Sequence, residues 1–283
     1  MFARSETRRD DITESKSIQE LVSRFESLHD GPAYVGQVIA RGSGAIPFLS
    51  EVLLNGRPSS IPQPRQWAVE ALAGLGAYEI LLTYLRQPLI TASPVVRHGE
   101  QAVQNTAARE LSNYETEQTF AILLDCLKRS PLPGVIESIA LYRRIAVAPY
   151  LIDCLEDDTC RSAALEGLEL LGDAVRILLI ESALKRVPGP PDWESPSSVR
   201  RRQCCLQLLR SSQLENSEVQ RLTSLLSNDD PDIVISVARL LIESSAFRNR
   251  SFVRNHLKRV QRKAGWWLQD ELRSLLSRTE SGF

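Results

Sequence analysis

The side chains with the clearest capacity for chemistry lie near the end of the chain. Between Arg248 and Lys263 stand Arg248, Arg250, Arg254, Lys258, Arg259, Arg262 and Lys263, with His256 among them and no acid. Arg250, Arg254 and Lys258 are four apart, which puts them on one face of a helix. Trp266 and Trp267 follow directly. A basic stripe beside aromatic rings suits a phosphate backbone, so nucleic-acid binding through 197–263 is one reading. The competing expectation is a solvated capping helix, with one Trp buried against the preceding helices and the other half exposed.

The remaining reactive residues are scattered. Cys154 and Cys160 are six apart and Cys204 and Cys205 are adjacent. A zinc site needs closely spaced Cys pairs with a second pair or His at a matching distance, and no such spacing occurs. The five cysteines read as buried, reduced thiols, with a redox role for Cys204 and Cys205 as the alternative. His29, His98 and His256 have no Cys or carboxylate at a ligand or triad spacing and are expected at the surface or at helix ends. No G-x-S-x-G, P-loop, G-x-G-x-x-G or H-E-x-x-H motif is present. No enzymatic activity, metal or cofactor is expected.

Composition narrows the class further. In 283 residues, 43 % are apolar and 24 % charged, as in an ordinary folded protein. Residues 1–196 hold 19 Lys/Arg against 26 Asp/Glu, a balance of −7, whereas residues 197–263 hold 13 against 6, a balance of +7. The two regions therefore present different charge to a partner. The polar start of the chain has no apolar core of a secretory signal, and no run of about eighteen apolar residues occurs, so a cytoplasmic protein without membrane contact is expected.

These residues must be positioned by helices, because apolar residues recur at helical spacing and period-two alternation is absent. Residues 1–11 read as a mobile arm and 12–283 as one domain. Cap helices are expected over 12–28 and 32–41. Helix pairs then follow at 45–55/63–75, 77–86/94–113, 115–129/134–145, 147–172, 173–186/196–212, 216–227/231–244 and 249–261/264–278. The first helices of these pairs carry Leu53, Leu85, Leu127, Leu155, Leu184, Leu226 and Leu257 at intervals of 28 to 42 residues. Two helices per unit at such a period is the pattern of an α-solenoid.

Two stretches repeat residue by residue. Pro47, Phe48, Leu49, Glu51 and Leu53 match Pro149, Tyr150, Leu151, Asp153 and Leu155, and Arg65, Ala68, Ala71, Leu72, Leu75 and Gly76 match Arg161, Ala164, Gly167, Leu168, Leu171 and Gly172. Small residues let the second helix approach its neighbours, and the leucines fill the layer between pairs. The glycines suit a left-handed helix end. The prolines sit in a first turn, where a missing N–H costs nothing. Asp157, Asp158 and Asp230 are placed to cap second helices.

This pattern resembles the HEAT repeat, and more closely the short HEAT-like repeat of phycobilin lyases. The resemblance implies an all-α, right-handed superhelix of about seven helix pairs. It also implies a non-enzymatic scaffold that binds another protein on the concave wall lined by second helices. Contact positions there are Gln66, Glu70, Arg97, Gln101, Arg143, Glu166, Glu169, Arg200 and Arg239. Of Arg200, Arg201 and Arg202, the resemblance assigns Arg201 to a structural pairing with a corner Asp. Some HEAT-like proteins are DNA glycosylases with Trp and Asp in the groove. Trp266, Trp267 and Asp270 stand together here, but on the last pair rather than in the interior. A chromophore lyase is a further alternative. The connections 56–64, 87–94 and 187–196 exceed tight turns, and such insertions gather on one edge and carry recognition. Trp193, in the third of them, is either a partner contact or a loop anchor.

Overall fold

The computed structural model describes residues 15–189, 194–244 and 249–280. The arm at 1–11, Trp193 and Arg248 lie outside them. Among the described residues the chain is all-α, with an isolated antiparallel bridge between Pro188 and Glu194 and no strand. No described helix is long and apolar enough to cross a membrane. Contacts divide the chain into two compact units, Met1–Tyr142 and Arg143–Phe283.

The first unit holds α1 (15–23), α2 (Gly31–Ile39), α3 (Ile46–Ser50), α4 (Gln63–Gly74), α5 (Tyr78–Arg86), α6 (Pro94–Glu110), α7 (Glu117–Arg129) and α8 (Pro133–Ala140). A π-helical turn, Glu51–Asn55, continues α3. Helices α3 and α4, α5 and α6, and α7 and α8 pair. Side by side, α2, α4, α6 and α8 form one layer, and α5 packs on α7 in the other. The second unit repeats this with α9 (Ala148–Cys154), α10 (Arg161–Leu171), α11 (Arg176–Leu184), α12 (Pro196–Leu208), α13 (Asn216–Leu222), α14 (Pro231–Glu243), α15 (Arg250–Gln261) and α16 (Gln269–Glu280). Here α10, α12, α14 and α16 form the second-helix layer. The helix pairs thus fall where the periodicity places them.

Small residues set the spacing within the layers. Ala68, Ala71 and Ala164 are fully buried, as are Leu53, Leu72 and Leu155. At Gly99 in α6 an added Cβ would stand 2.1 Å from the Ser59 carbonyl oxygen, and at Gly134 in α8 one would stand 2.5 Å from that of Asn105. Neither position has room for a side chain.

Helix ends show where local expectations hold and where they fail. Gly76, at φ +70°, closes α4 as a left-handed cap. Its N–H bonds the Ala73 carbonyl and the Ala77 N–H bonds that of Leu72, the paired bonds of a Schellman motif. Gly172 does not repeat this. At φ 58° and ψ −144° it lies outside the left-handed helical well, in a region open essentially to glycine alone. Asp230 caps α14 by accepting from the backbone of Asp232 and Ile233. Asp157 holds the turn that opens α10, where its carbonyl accepts from the Arg161 N–H, whereas Asp158 caps nothing. Asp157 accepts from the Thr159 N–H and hydroxyl, which holds its carboxyl below the usual range, and Asp158 takes Arg161 and Arg200. Helix α8 stops at Ala140 rather than running to 145, because Arg143 adopts φ +50° and turns the chain.

Candidate functional site

Several of the expected contact side chains on the second-helix layer already have partners on neighbouring elements. Gln66 on α4 donates to the Thr106 hydroxyl on α6 at 2.9 Å. Arg239 on α14 pairs with Glu271 on α16, and Arg200 on α12 reaches Asp158 at 3.1 Å. Arg109 and Glu137 join α6 to α8 at 2.6 Å, and Glu243 of α14 takes both Arg210, in the turn after α12, and Arg278 of α16. These side chains are engaged in stitching neighbouring pairs together. The stack places oppositely charged groups on adjacent second helices, so they satisfy one another laterally. Arg143, expected on this face, lies in the turn after α8 and belongs to no helix.

Glu70, Glu166 and Glu169 do remain exposed. Burial, then the charge of Glu110, pushes the Glu70 carboxyl up, and burial raises Glu110 as well. Two carboxylates face each other here with no cation between them among the described residues. Glu166 and Glu169 flank Leu170, an exposed leucine of α10.

Arg97 and Gln101 share a concavity. It belongs to a run of three adjoining recesses along the loop edge of the first unit, where first helices end and second helices begin. The largest, about 560 Å³, is lined by Leu28, Val52, Arg57, Ser59, Ile61 and Arg65 among others. A second, about 190 Å³, shares Gly56 and Arg65 with it and adds Leu89 and Ile90. A third, about 270 Å³, shares Pro88, Leu89 and Gln104 and carries Arg97 and Gln101. Three large apolar side chains stand open along this edge: Leu28 at 55 % exposure, Ile61 at 48 % and Ile90 at 85 %. Exposed apolar residues gathered on one rim mark a contact surface.

The floor of the recess is polar and buried. Arg65, at the start of α4, donates to the Leu53 carbonyl and to the Glu100 carboxylate of α6. Glu100 also accepts from the Tyr84 hydroxyl at 3.2 Å and from the Ser59 N–H at 3.3 Å. The Arg65 guanidinium stacks 5.2 Å from the Tyr84 ring centroid. Glu100 is thus surrounded by donors, and Ser59 fastens the 55–62 loop to α6. Burial drives the Tyr84 phenol well above its ordinary value, against the charge of Arg65, so it stays protonated. One donor is left over. Arg65 Nε is buried and has no hydrogen-bond partner. Buried orphan donors are uncommon, and this one lies beneath the recesses, closed off from solvent.

The described ends of the third long connection, 187–189 and 194–196, are tied to each other and to α12. Ser195 N–H donates to the Val187 carbonyl, and Glu194 forms a buried pair with Arg202, whose side chain is 1 % exposed. Arg201, expected to meet a corner Asp, instead pairs with Glu156 at 2.7 Å and donates to the Lys185 carbonyl. The cysteines are all free and buried, and burial pushes the Cys154 and Cys205 thiols up to about 12. His256 is buried rather than at the surface, with Nδ1 3.0 Å from the Phe252 carbonyl oxygen.

The basic stretch divides. On α15, Val253, His256, Leu257 and Val260 face inward, and Arg250 and Arg254 are half-buried. Lys258, Arg259, Arg262 and Lys263 are exposed. The stripe drawn from four-residue spacing is therefore cut short, and the open charge collects at the last turn of the helix. Trp266, in the following turn, is 83 % exposed.

No protein-family model matches the chain, and no curated protein matches it. Among solved structures, human deoxyhypusine hydroxylase in complex with glycerol is similar to this chain at TM-score 0.36 and 14 % identity, over 97 % of this chain and 99 % of that one. A likeness of that size carries no argument about activity.

The long connections were visible in the sequence as insertions. Leu28 reads as part of the apolar stripe of the 12–28 helix but stands 55 % exposed past the end of α1, and only Ile61, Leu89 and Ile90 signal by their place in connections that the core does not use them.

Proposed function

We propose that this chain is a non-enzymatic adaptor that binds an extended segment of a partner protein along the loop edge of its first unit. The observation that carries this is the pair of adjoining recesses, one rimmed by Leu28 and Ile61 and the other by Ile90, over a buried Arg65–Glu100 pair. Apolar side chains of the segment cover the rim, at about 1.5–3 kcal/mol for each large side chain fully withdrawn from water. Arg97, Gln101 and Gln104 offer polar contacts at the far end. Ser59 and the Arg65–Glu100 pair hold the loop in place before binding, which limits the ordering cost. This places the contact surface at the edge, where Arg97 and Gln101 of the second-helix layer join the recesses, while Gln66, Arg200 and Arg239 have partners on neighbouring elements.

The test is selection of binding peptides from a displayed library with the full chain, followed by calorimetric titration of a selected peptide into wild type and Ile61→Asp. The reading expects micromolar binding that falls at least about tenfold in the variant, since a charge at a buried contact is costly. Equal binding by both proteins contradicts it.

A further inference from the structure

The arginines of the second unit are engaged almost throughout. Arg161 and Arg200 share Asp158, Arg176 holds Glu218, Arg221 holds Glu181, and Arg273 holds Asp270. Lys258, Arg259, Arg262 and Lys263 depart from this rule. They stand within six residues of chain, are exposed, and form no ion pair among the described residues. The buried side chains Val253, Leu257 and Val260 fix α15 against the unit, so these cations are carried on an anchored helix. Trp266 opens the next turn at 83 % exposure, while Leu268 in the same turn is 2 % exposed and secures it. Cations at a helix C-terminus favour the helix dipole, but that effect calls for one or two of them and does not call for an indole in water.

We propose that the last turn of α15 and the Trp266 turn form a binding surface for single-stranded nucleic acid. Phosphates take Lys258, Arg259, Arg262 and Lys263, and a base stacks on the Trp266 indole. A single strand uses both features. A duplex keeps its bases stacked on one another and would leave the indole idle, and so would an acidic peptide. This surface lies in the second unit and is independent of the peptide-binding recess, so either reading can fail alone.

The experiment is fluorescence anisotropy of a labelled oligothymidylate of about 20 nucleotides and of a duplex of equal length, titrated with the full chain across a salt series. Four phosphate contacts on a single strand predict a slope of log affinity against log salt of about −3. The combined variant K258Q/R259Q/R262Q/K263Q flattens that slope. Trp266→Ala weakens oligothymidylate binding roughly 5- to 150-fold and leaves the slope unchanged. All five side chains are exposed, and an unchanged helical melting curve shows that the variants fold. Binding that is indifferent to Trp266→Ala, or tighter to the duplex than to the single strand, overturns the assignment. So does failure to bind either nucleic acid at low salt, whether or not polyglutamate binds in its place.

Discussion

Arg65 and Glu100, 35 residues apart, meet as a buried ion pair that joins α4 to α6 beneath the loop-edge recess. Both side chains are under 10 % exposed. Removing one partner strands the other charge away from water. Glu100→Ala should therefore destabilise the protein by about 3–5 kcal/mol. Replacing both residues with methionine should cost less than either single change, because no lone charge is left behind. Urea denaturation of the two single variants and the double variant gives the comparison. A double variant as unstable as the sum of the singles would show that the two residues act separately.

Gly99 and Gly36 make a contrasting pair. A Cβ at Gly99 meets the Ser59 backbone, whereas one at Gly36 meets nothing within 4 Å. Gly99→Ala should cost about 1–3 kcal/mol and displace the 55–62 loop that walls the recess. Gly36→Ala, within α2, should stabilise by about 0.5–1 kcal/mol. Thermal melts of both variants test this, and peptide affinity should fall only in the first.

Arg143 occupies φ +50°, where a side chain is unfavourable. Arg143→Gly relieves that strain and loses some of the gain to unfolded-chain entropy, so a net stabilisation of up to about 1 kcal/mol is expected. Arg143→Ala, which keeps a Cβ, should show no such gain in the same denaturation assay.

Glu70 provides a pH signature. Its carboxyl is raised in the folded state, by burial and then by Glu110. The native state therefore holds its proton to higher pH than the unfolded chain does. That contribution to stability is complete below the unfolded pKa and is lost as pH rises through the folded one. Glu70→Gln should thus stabilise at neutral pH, by no more than about 0.5 kcal/mol given solvent screening. The gain should vanish as pH falls below the ordinary glutamate value of 4.5. Melting curves at acid and neutral pH read it directly, and a gain that grew on acidification would contradict the sign.

Much of the fold was legible because its determinants are local. Apolar spacing, Pro47 and Pro149 in first turns, and Gly76 after α4 place the helix pairs without knowledge of the neighbours. What was hidden depends on stacking. Whether Arg239 is free or held by Glu271 depends on a partner 32 residues away, whose position is set only when α14 and α16 align. The same holds for Gln66 with Thr106, 40 residues apart, and for Arg210 with Glu243. The basic run was plain in composition, but the burial of its middle through His256 and Leu257 required the packed helix. The recess was the least legible feature. Leu28, Ile61 and Ile90 come from separate connections and meet only because those connections share an edge.

The account rests most directly on the recess of the first unit. Calorimetric titration of a library-selected peptide into wild type, Ile61→Asp, Ile90→Asp and the K258Q/R259Q/R262Q/K263Q variant measures it in one series. Micromolar binding that drops at least about tenfold in both isoleucine variants, and is unchanged in the charge variant, is the predicted result. Equal affinity for all four proteins, or a loss confined to the charge variant, would contradict it.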